Sequence, residues 1–417
     1  AYSGFGVTTG GGNVAIGFEA LYAEDTHGTN VAIGYKALKA QNAGANAYNV
    51  AIGYEAGNDI STGTGNTIVG GLAGDSLTAG SSNTVLGYDA LSTEDAHGTN
   101  TAIGYQSLKA LDAGADAYNV AVGFQSGLSV STGIKNTLIG GKAGDSLTTG
   151  SYNVALGYDA LQYEDAYGRN TAIGYLALTT QRAGADAYNV AVGFEAGKSV
   201  STGIHNVLVG GQAGDAIAAG SHNVAIGGQA LSTEDGNGRN IAIGYSALRD
   251  QNAGAEAYNI AIGFDTGKVI TTGVENVIMG GNAGDALTTS GKNVAIGYNA
   301  LSTEDTQSYS TAVGHSALED QNTGTDALNT AVGYYAGAQI TTGHTNTCIG
   351  AQAGDALTEG YNNMIIGYNA AASAVDVDNE ITLGNANISA FRCADTSIAA
   401  LSDGRDKSDV KDSGFGL

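Results

Sequence analysis

The chain is 417 residues long and has 66 glycines, no proline, no tryptophan and 40 acidic against 16 basic side chains, for a formal charge of −24. That charge removes the positive footprint a nucleic-acid or anionic-membrane binder needs, and glycine without a strict third-position period removes a collagen helix. The sequence shows no run of about 18 apolar residues and no charged-then-apolar leader, so neither a transmembrane helix nor a signal peptide is predicted in it.

Val7-Thr8-Thr9-Gly10 repeats the V-S-T-G wording that closes later units at Val130 to Gly133 and Val200 to Gly203. Residues 1–12 are therefore expected to be the end of a preceding, truncated coil. From Asn13 a word then recurs: NVAIGFEAL at Asn13, NVAIGYKAL at Asn30, NVAIGYEAG at Asn49, NTIVGGLAG at Asn66, and NTVLGYDAL at Asn83 to open the next block. The spacings of 17, 19, 17 and 17 residues make a 70-residue block, whose first asparagine returns at Asn153, Asn223, Asn293 and Asn363. Five blocks and two further words, at Asn363 and Glu380, fill residues 13–384 with 22 units. No unit of this size closes a core alone, so the repeat predicts one elongated solenoid rather than several globular domains.

Within each word the alternation reads as a short strand. In NVAIGY, Val50, Ile52 and Tyr54 fall on one face and Ala51 and Gly53 on the other, which suggests a strand buried on both sides. A second short strand is expected in pieces such as DISTG at Asp59 and DSLTAG at Asp75, between glycine- and asparagine-rich turns. The asparagine that opens each word should cap a turn and pair with its copies one coil away. Parallel stacking at about 4.8 Å per coil gives a rod of roughly 100 Å. The expected fold class is thus all-β, an elongated parallel β-solenoid, or β-roll, of about 22 coils. Its face of small Ala and Gly side chains cannot exclude water alone, which predicts packing or intertwining as a homotrimer.

Candidate chemistry is sparse. Glu-Asp pairs recur in one register at Glu24-Asp25, Glu94-Asp95, Glu164-Asp165, Glu234-Asp235 and Glu304-Asp305. Clustered carboxylates suit calcium, but these pairs stand four coils apart without a calcium-loop pattern, so a solvated acidic edge is the expectation. Aspartates in AGD, at Asp75, Asp145, Asp215, Asp285 and Asp355, read as turn formers. His27 and His97 share a register that Tyr167, Asn237 and Gln307 occupy later, and the glycine run Thr9 to Gly12 lacks the lysine of a phosphate loop. No metal and no cofactor are expected. Cys348 takes an apolar core position, while Cys393 lies beyond the repeats, so no disulfide framework is predicted. Word tyrosines such as Tyr35, Tyr54 and Tyr175 should fill gaps between coils. Tyr48, Tyr118, Tyr188 and Tyr258 belong to the 19-residue units, whose two extra residues should bulge outward as binding loops.

The NVAIG and NTAIG strings followed by Ala37, Ala56, Ala177 and Ala196 resemble the head repeats of trimeric autotransporter adhesins and related repeats of bacteriophage tail fibres, over about nine-tenths of the chain. That resemblance implies a trimeric parallel β-roll. The adhesin heads repeat at a shorter spacing, so longer outward loops are expected here. LSDGRDKSDVKD, from Leu401 to Asp412, is similar to the opening of the intramolecular chaperone domain that ends phage tail spikes and fibres. This second resemblance implies Ser402 as the nucleophile of self-cleavage and Lys407 as its base, active only when a chaperone body lowers the lysine pKa. Residues 385–401 would form a cap, and residues 402–417 the start of that domain or a disordered tail. The implied protein is a structural, host-attaching fibre of the virion tail, extracellular and not an enzyme in its own right. Its partners would be its own copies, tail proteins upstream and a glycan or outer-membrane component of the host. The alternatives are an autotransporter passenger on a bacterial surface and a polysaccharide-degrading tailspike.

Overall fold

A computed structural model describes residues 2–390 and 392, apart from 235, 237 and 307. Twenty-two strands of three residues each run from β1 (Val14–Ile16) through β3 (Val50–Ile52) to β22 (Ile381–Leu383). Each strand pairs in parallel and in register with the next one in sequence, as Val14 with Val31 and Val50 with Thr67. The words therefore lie one over another as coils of a single column, and the described residues contain no helix. Residues ahead of β1 stack on the same column, with Gly4 N–H donating to the Ala20 carbonyl at 2.9 Å and Gly6 N–H to Tyr22 at 3.0 Å.

The coil from Asn49 shows why these residues close on themselves. After β3, Ala56 N–H donates to the Gly53 carbonyl, Asn58 N–H to Glu55 and Ile60 N–H to Gly57, giving successive tight turns. Glu55 and Gly57 supply left-handed backbone at φ 53° and 56°, which a chain reversal of this kind requires. The segments DISTG and DSLTAG are consequently turns and bends rather than the second strand expected of them. Seventeen residues suffice for one strand and a string of turns. Pairing nevertheless continues around the coil, because Gly57 N–H reaches the Ala73 carbonyl, Asp59 N–H reaches Asp75 and Ser61 N–H reaches Thr78, each at 2.9 Å.

Gly53 shows how little slack the stacking leaves. It sits at φ +147°, and a Cβ there would lie 2.3 Å from the carbonyl oxygen of Gly70 in the next coil. Neither the conformation nor the contact admits a side chain.

The interior is narrow. Ala51, Ala56 and Ile60 are fully buried, so the small face of the strand is the inner one. Two inward positions change from coil to coil, and neighbouring coils fill the space over the smaller residue, since a Cβ on Gly57 would lie 3.2 Å from both Leu38 Cδ2 and Ile68 Cδ1. The first two coils pair Leu21 with Glu24 and Leu38 with Gln41, whereas the next two pair Gly57 with Ile60 and Gly74 with Leu77. A Cβ on Gly57 would meet Ile60 Cδ1 at 2.9 Å, and one on Gly74 would meet Leu77 Cδ1 at the same distance. Each buried Leu or Ile contributes about 1.5–3 kcal/mol. Cys348 lies in this core, and burial pushes its thiol up to about 12.

The asparagines form a buried ladder. Asn49 Oδ1 accepts the N–H of Asn66 at 2.8 Å, and its Nδ2 donates to the Gly63 carbonyl that closes the same coil, also at 2.8 Å. The Oδ1 rungs run from Asn13 to Ser310 and again from Asn329 to Glu380. Side chain to backbone is thus the dominant rung, and it locks each coil to its neighbour.

Candidate functional site

One outward column of the sheet is apolar in every strand, while the column beside it carries threonine in eight strands, as at Thr67 and Thr84. Opposite the buried Ala51, Ile52 and Tyr54 are exposed and Val50 is half-buried, and Leu86, Leu156, Ile226, Met279 and Ile349 continue the exposed column. This overturns the expectation of strands buried on both faces. It also reverses which face needs covering, since the small side chains fill the coil and the large ones face out. Beside them the word aromatics stack ring on ring along the rod instead of plugging gaps inside it. Phe18, Tyr35 and Tyr54 have centroids 5.4 and 5.2 Å apart, and Tyr158, Tyr175 and Phe194 repeat the pattern. Gly71, Gly141, Gly211, Gly281 and Ala351 interrupt this column in successive blocks, and Gly228 does so a second time in the fourth.

The 19-residue coils do bulge, and the bulge is at Gly44, Gly114, Gly184, Gly254 and Gly324, around which a Cβ would meet nothing within 4 Å. Tyr48, Tyr118, Tyr188 and Tyr258 are exposed beside the bulge, directly before the ladder asparagine. They belong to a longer column that the sequence reading missed, in which one side chain per coil projects from left-handed backbone, as at Arg169 (φ 65°) and Tyr188 (φ 52°). Lys135 Nζ stands 5.2 Å from the Tyr152 ring, and the Arg169 guanidinium stands 5.1 Å from Tyr152 and 5.6 Å from Tyr188. Tyr188, His205 and His222 continue the stack at 5.3 and 5.2 Å. The ring faces of Tyr152 and Tyr188 are thereby taken by neighbouring coils, leaving their edges and hydroxyls for any ligand. Arg169 is also neutralised by Asp186 at 2.7 Å and Arg239 by Glu256 at 2.9 Å. Listing the residue before each asparagine in the sequence would have exposed this column.

Only the aspartates of the Glu-Asp pairs meet solvent, as at the exposed Asp95 and the half-buried Asp25 and Asp165. Glu24, Glu94, Glu164, Glu234 and Glu304 are completely buried, in the same inward position that Ile60 and Leu77 hold in other coils. Glu24 closes its turn by accepting the His27 N–H at 3.2 Å and reaches the ladder through Asn30 Nδ2 at 3.3 Å. Glu304 accepts from Gln321 Nε2 at 2.7 Å. In the second block Leu111 replaces that glutamine, and Glu94 accepts the Ala113 N–H instead. Glu164 accepts the Tyr167 N–H, but its buried Oε2 has no partner, and burial pushes its carboxyl up to about 7. Among the described residues, groups of metal-ligating type occur at Glu24, Asp25 and His27 and at Glu94, Asp95 and His97. Hydrogen bonds that close the turn already engage the first group, Asp25 Oδ1 accepting from Thr26 N–H at 2.5 Å. The AGD aspartates do end turns. Asp75, Asp215 and Asp285 each keep a buried Oδ1 without a partner, and burial raises all three, Asp75 to about 6.

Ser402, Lys407 and Cys393 lie outside the described residues. No helix among the described residues is long and apolar enough to cross a membrane. Comparison with known proteins finds no family model that matches the chain and no curated protein that matches it.

Proposed function

We propose that the chain is a rod-forming, homotrimeric shaft or distal segment of a bacteriophage tail fibre, which gives mechanical reach and attaches to a host surface. The observation that carries this reading is the apolar strip of strand side chains, outward-facing in the single chain along all the coils. A strip of that length far exceeds the patch a monomer keeps in water, and three copies set around a common axis close it without leaving an open edge. The loop tyrosines Tyr48, Tyr118, Tyr188 and Tyr258 recur along the rod, so weak contacts to a host glycan or outer-membrane component add through multivalency. The strongly acidic composition keeps neighbouring rods apart. Ser402 and Lys407 are proposed as the self-cleavage pair only where a complete chaperone body follows.

Sedimentation equilibrium tests the assembly. The expected mass is three times the 41.5 kDa chain, and the doubly substituted Leu86→Glu, Leu156→Glu chain should dissociate while keeping its far-ultraviolet circular dichroism. A stable monomer at micromolar concentration would overturn the reading. Saturable binding of the labelled rod to host cells, without shortening of their capsule or lipopolysaccharide, separates a fibre from a polysaccharide-degrading tailspike.

A further inference from the structure

The fifth block carries a cavity of about 350 Å³ whose wall includes Glu319, Asp320, Tyr334, Tyr335, Ala338 and Asp355. Comparison with the third and fourth blocks shows which groups this wall lacks. Ala338 follows its ladder asparagine by nine residues, as Lys198 and Lys268 do in the third and fourth blocks. There the ammonium groups sit against the acid three residues earlier, Lys198 Nζ on Glu195 at 2.9 Å and Lys268 Nζ on Asp265 at 3.0 Å. In the fifth block alanine takes the place of the lysine and Tyr335 the place of that acid.

Three other carboxylates nevertheless line this wall. Asp355 keeps the position of Asp215 and Asp285 in the coil above, while Glu319 and Asp320 stand in the coil below, where the third block has Thr179 and Thr180. No lysine or arginine occurs in the sequence between Lys292 and Arg392, and among the described residues none of the three carboxylates has an ion-pair partner. Glu319 Oε1 accepts only an amide hydrogen, from Asn299 Nδ2 at 3.2 Å. The two tyrosine rings meet edge to face at 4.5 Å, with the His315 ring tilted against each at 5.4 Å.

We propose that this cavity binds a primary ammonium group carried by a ligand, in the place where Lys198 and Lys268 seat their own. Carboxylates on two coils supply charge-assisted acceptors, and the tyrosine faces favour an alkylammonium. A bare divalent cation is a poorer occupant, because it demands six or more oxygens at short range. An amino sugar and a lysyl side chain both present the group. The inference does not rest on the fibre reading, since the cavity belongs to one chain whatever that chain attaches to.

Saturation-transfer NMR on the intact chain tests it with glucosamine, Nα-acetyl-lysine methylamide and, as the uncharged control, N-acetylglucosamine. Transfer to glucosamine, to the lysine derivative or to both supports the proposal and identifies the source, with none to the control. Ala338→Lys places an ammonium already tolerated at this register twice, and should weaken binding at least tenfold. Asp355→Asn should do the same without filling the space. No transfer to either amine, equal binding by wild type and both variants, or displacement of the amine by submillimolar calcium would each overturn the proposal.

Discussion

The third and fourth blocks and the fifth are built on one frame yet differ in what fills it. Residues 153–292 pair their wall acids with Lys198, Arg249 and Lys268, and hold Glu164 in a polar layer where one oxygen lacks a donor. In the fifth block the wall has no cation and opens a cavity, whereas the buried Glu304 receives a 2.7 Å hydrogen bond from Gln321. The frame is set by backbone contacts that every coil must make. The wall and the polar layer depend on single side chains, and each block can change them without disturbing the stack. Such a division is expected where stability is a sum of nearest-neighbour terms.

The largest effect should come from the frame, and it should not distinguish the blocks. Gly263→Ala and Gly333→Ala each force a Cβ into left-handed backbone, at Gly333 within 2.4 Å of the Gly350 carbonyl oxygen. Each substitution is expected to cost more than about 3 kcal/mol, read as lost amide-exchange protection in the flanking coils. A large effect in one block alone would break the idea of a common frame. The ladder comes next. Asn259 and Asn329 make the same three side-chain bonds in their respective blocks, to the next coil's N–H, to a glutamine and to a glycine carbonyl. Replacement by alanine should therefore cost about 2–3 kcal/mol at either position, measured by urea unfolding.

A pH-dependent effect should separate the blocks. Burial raises Glu164 from 4.5 to about 7, so between those values the folded chain holds a proton that the unfolded chain has released. Stability contributed through this group is present at pH 4 and is lost as pH rises through 7. Glu164→Gln should then stabilise the rod at pH 8 by about 3 kcal/mol and at pH 5 by less than about 1 kcal/mol. Glu304→Gln, whose position already has its donor, should give no such gain. Thermal melts of the two variants at both pH values check the contrast.

Much of this was legible in the sequence. The word spacing fixed the number of coils and their order. The asparagine register foretold a ladder, and the two extra residues of the longer units do leave the column at Gly44 and its copies. Two expectations about Ala51 and Glu24 failed for a common reason. Alternation says which side chains share a face, but not whether that face looks inward. A recurring acidic pair likewise looks the same on paper whether its glutamate is wet or buried.

The sequence alone determined the period, the one-over-another order of the strands and the places where glycine is required, because these follow from local backbone conformation repeated at fixed spacing. Only the tertiary structure decided that Ala51 faces in and Tyr54 out, that Glu24 shares a core position with Ile60, and that Ala338, where two earlier blocks have lysine, lines a cavity. Those outcomes depend on the narrow cross-section of the closed coil. It admits only a few large side chains per turn and leaves the remaining ones to water or to another chain.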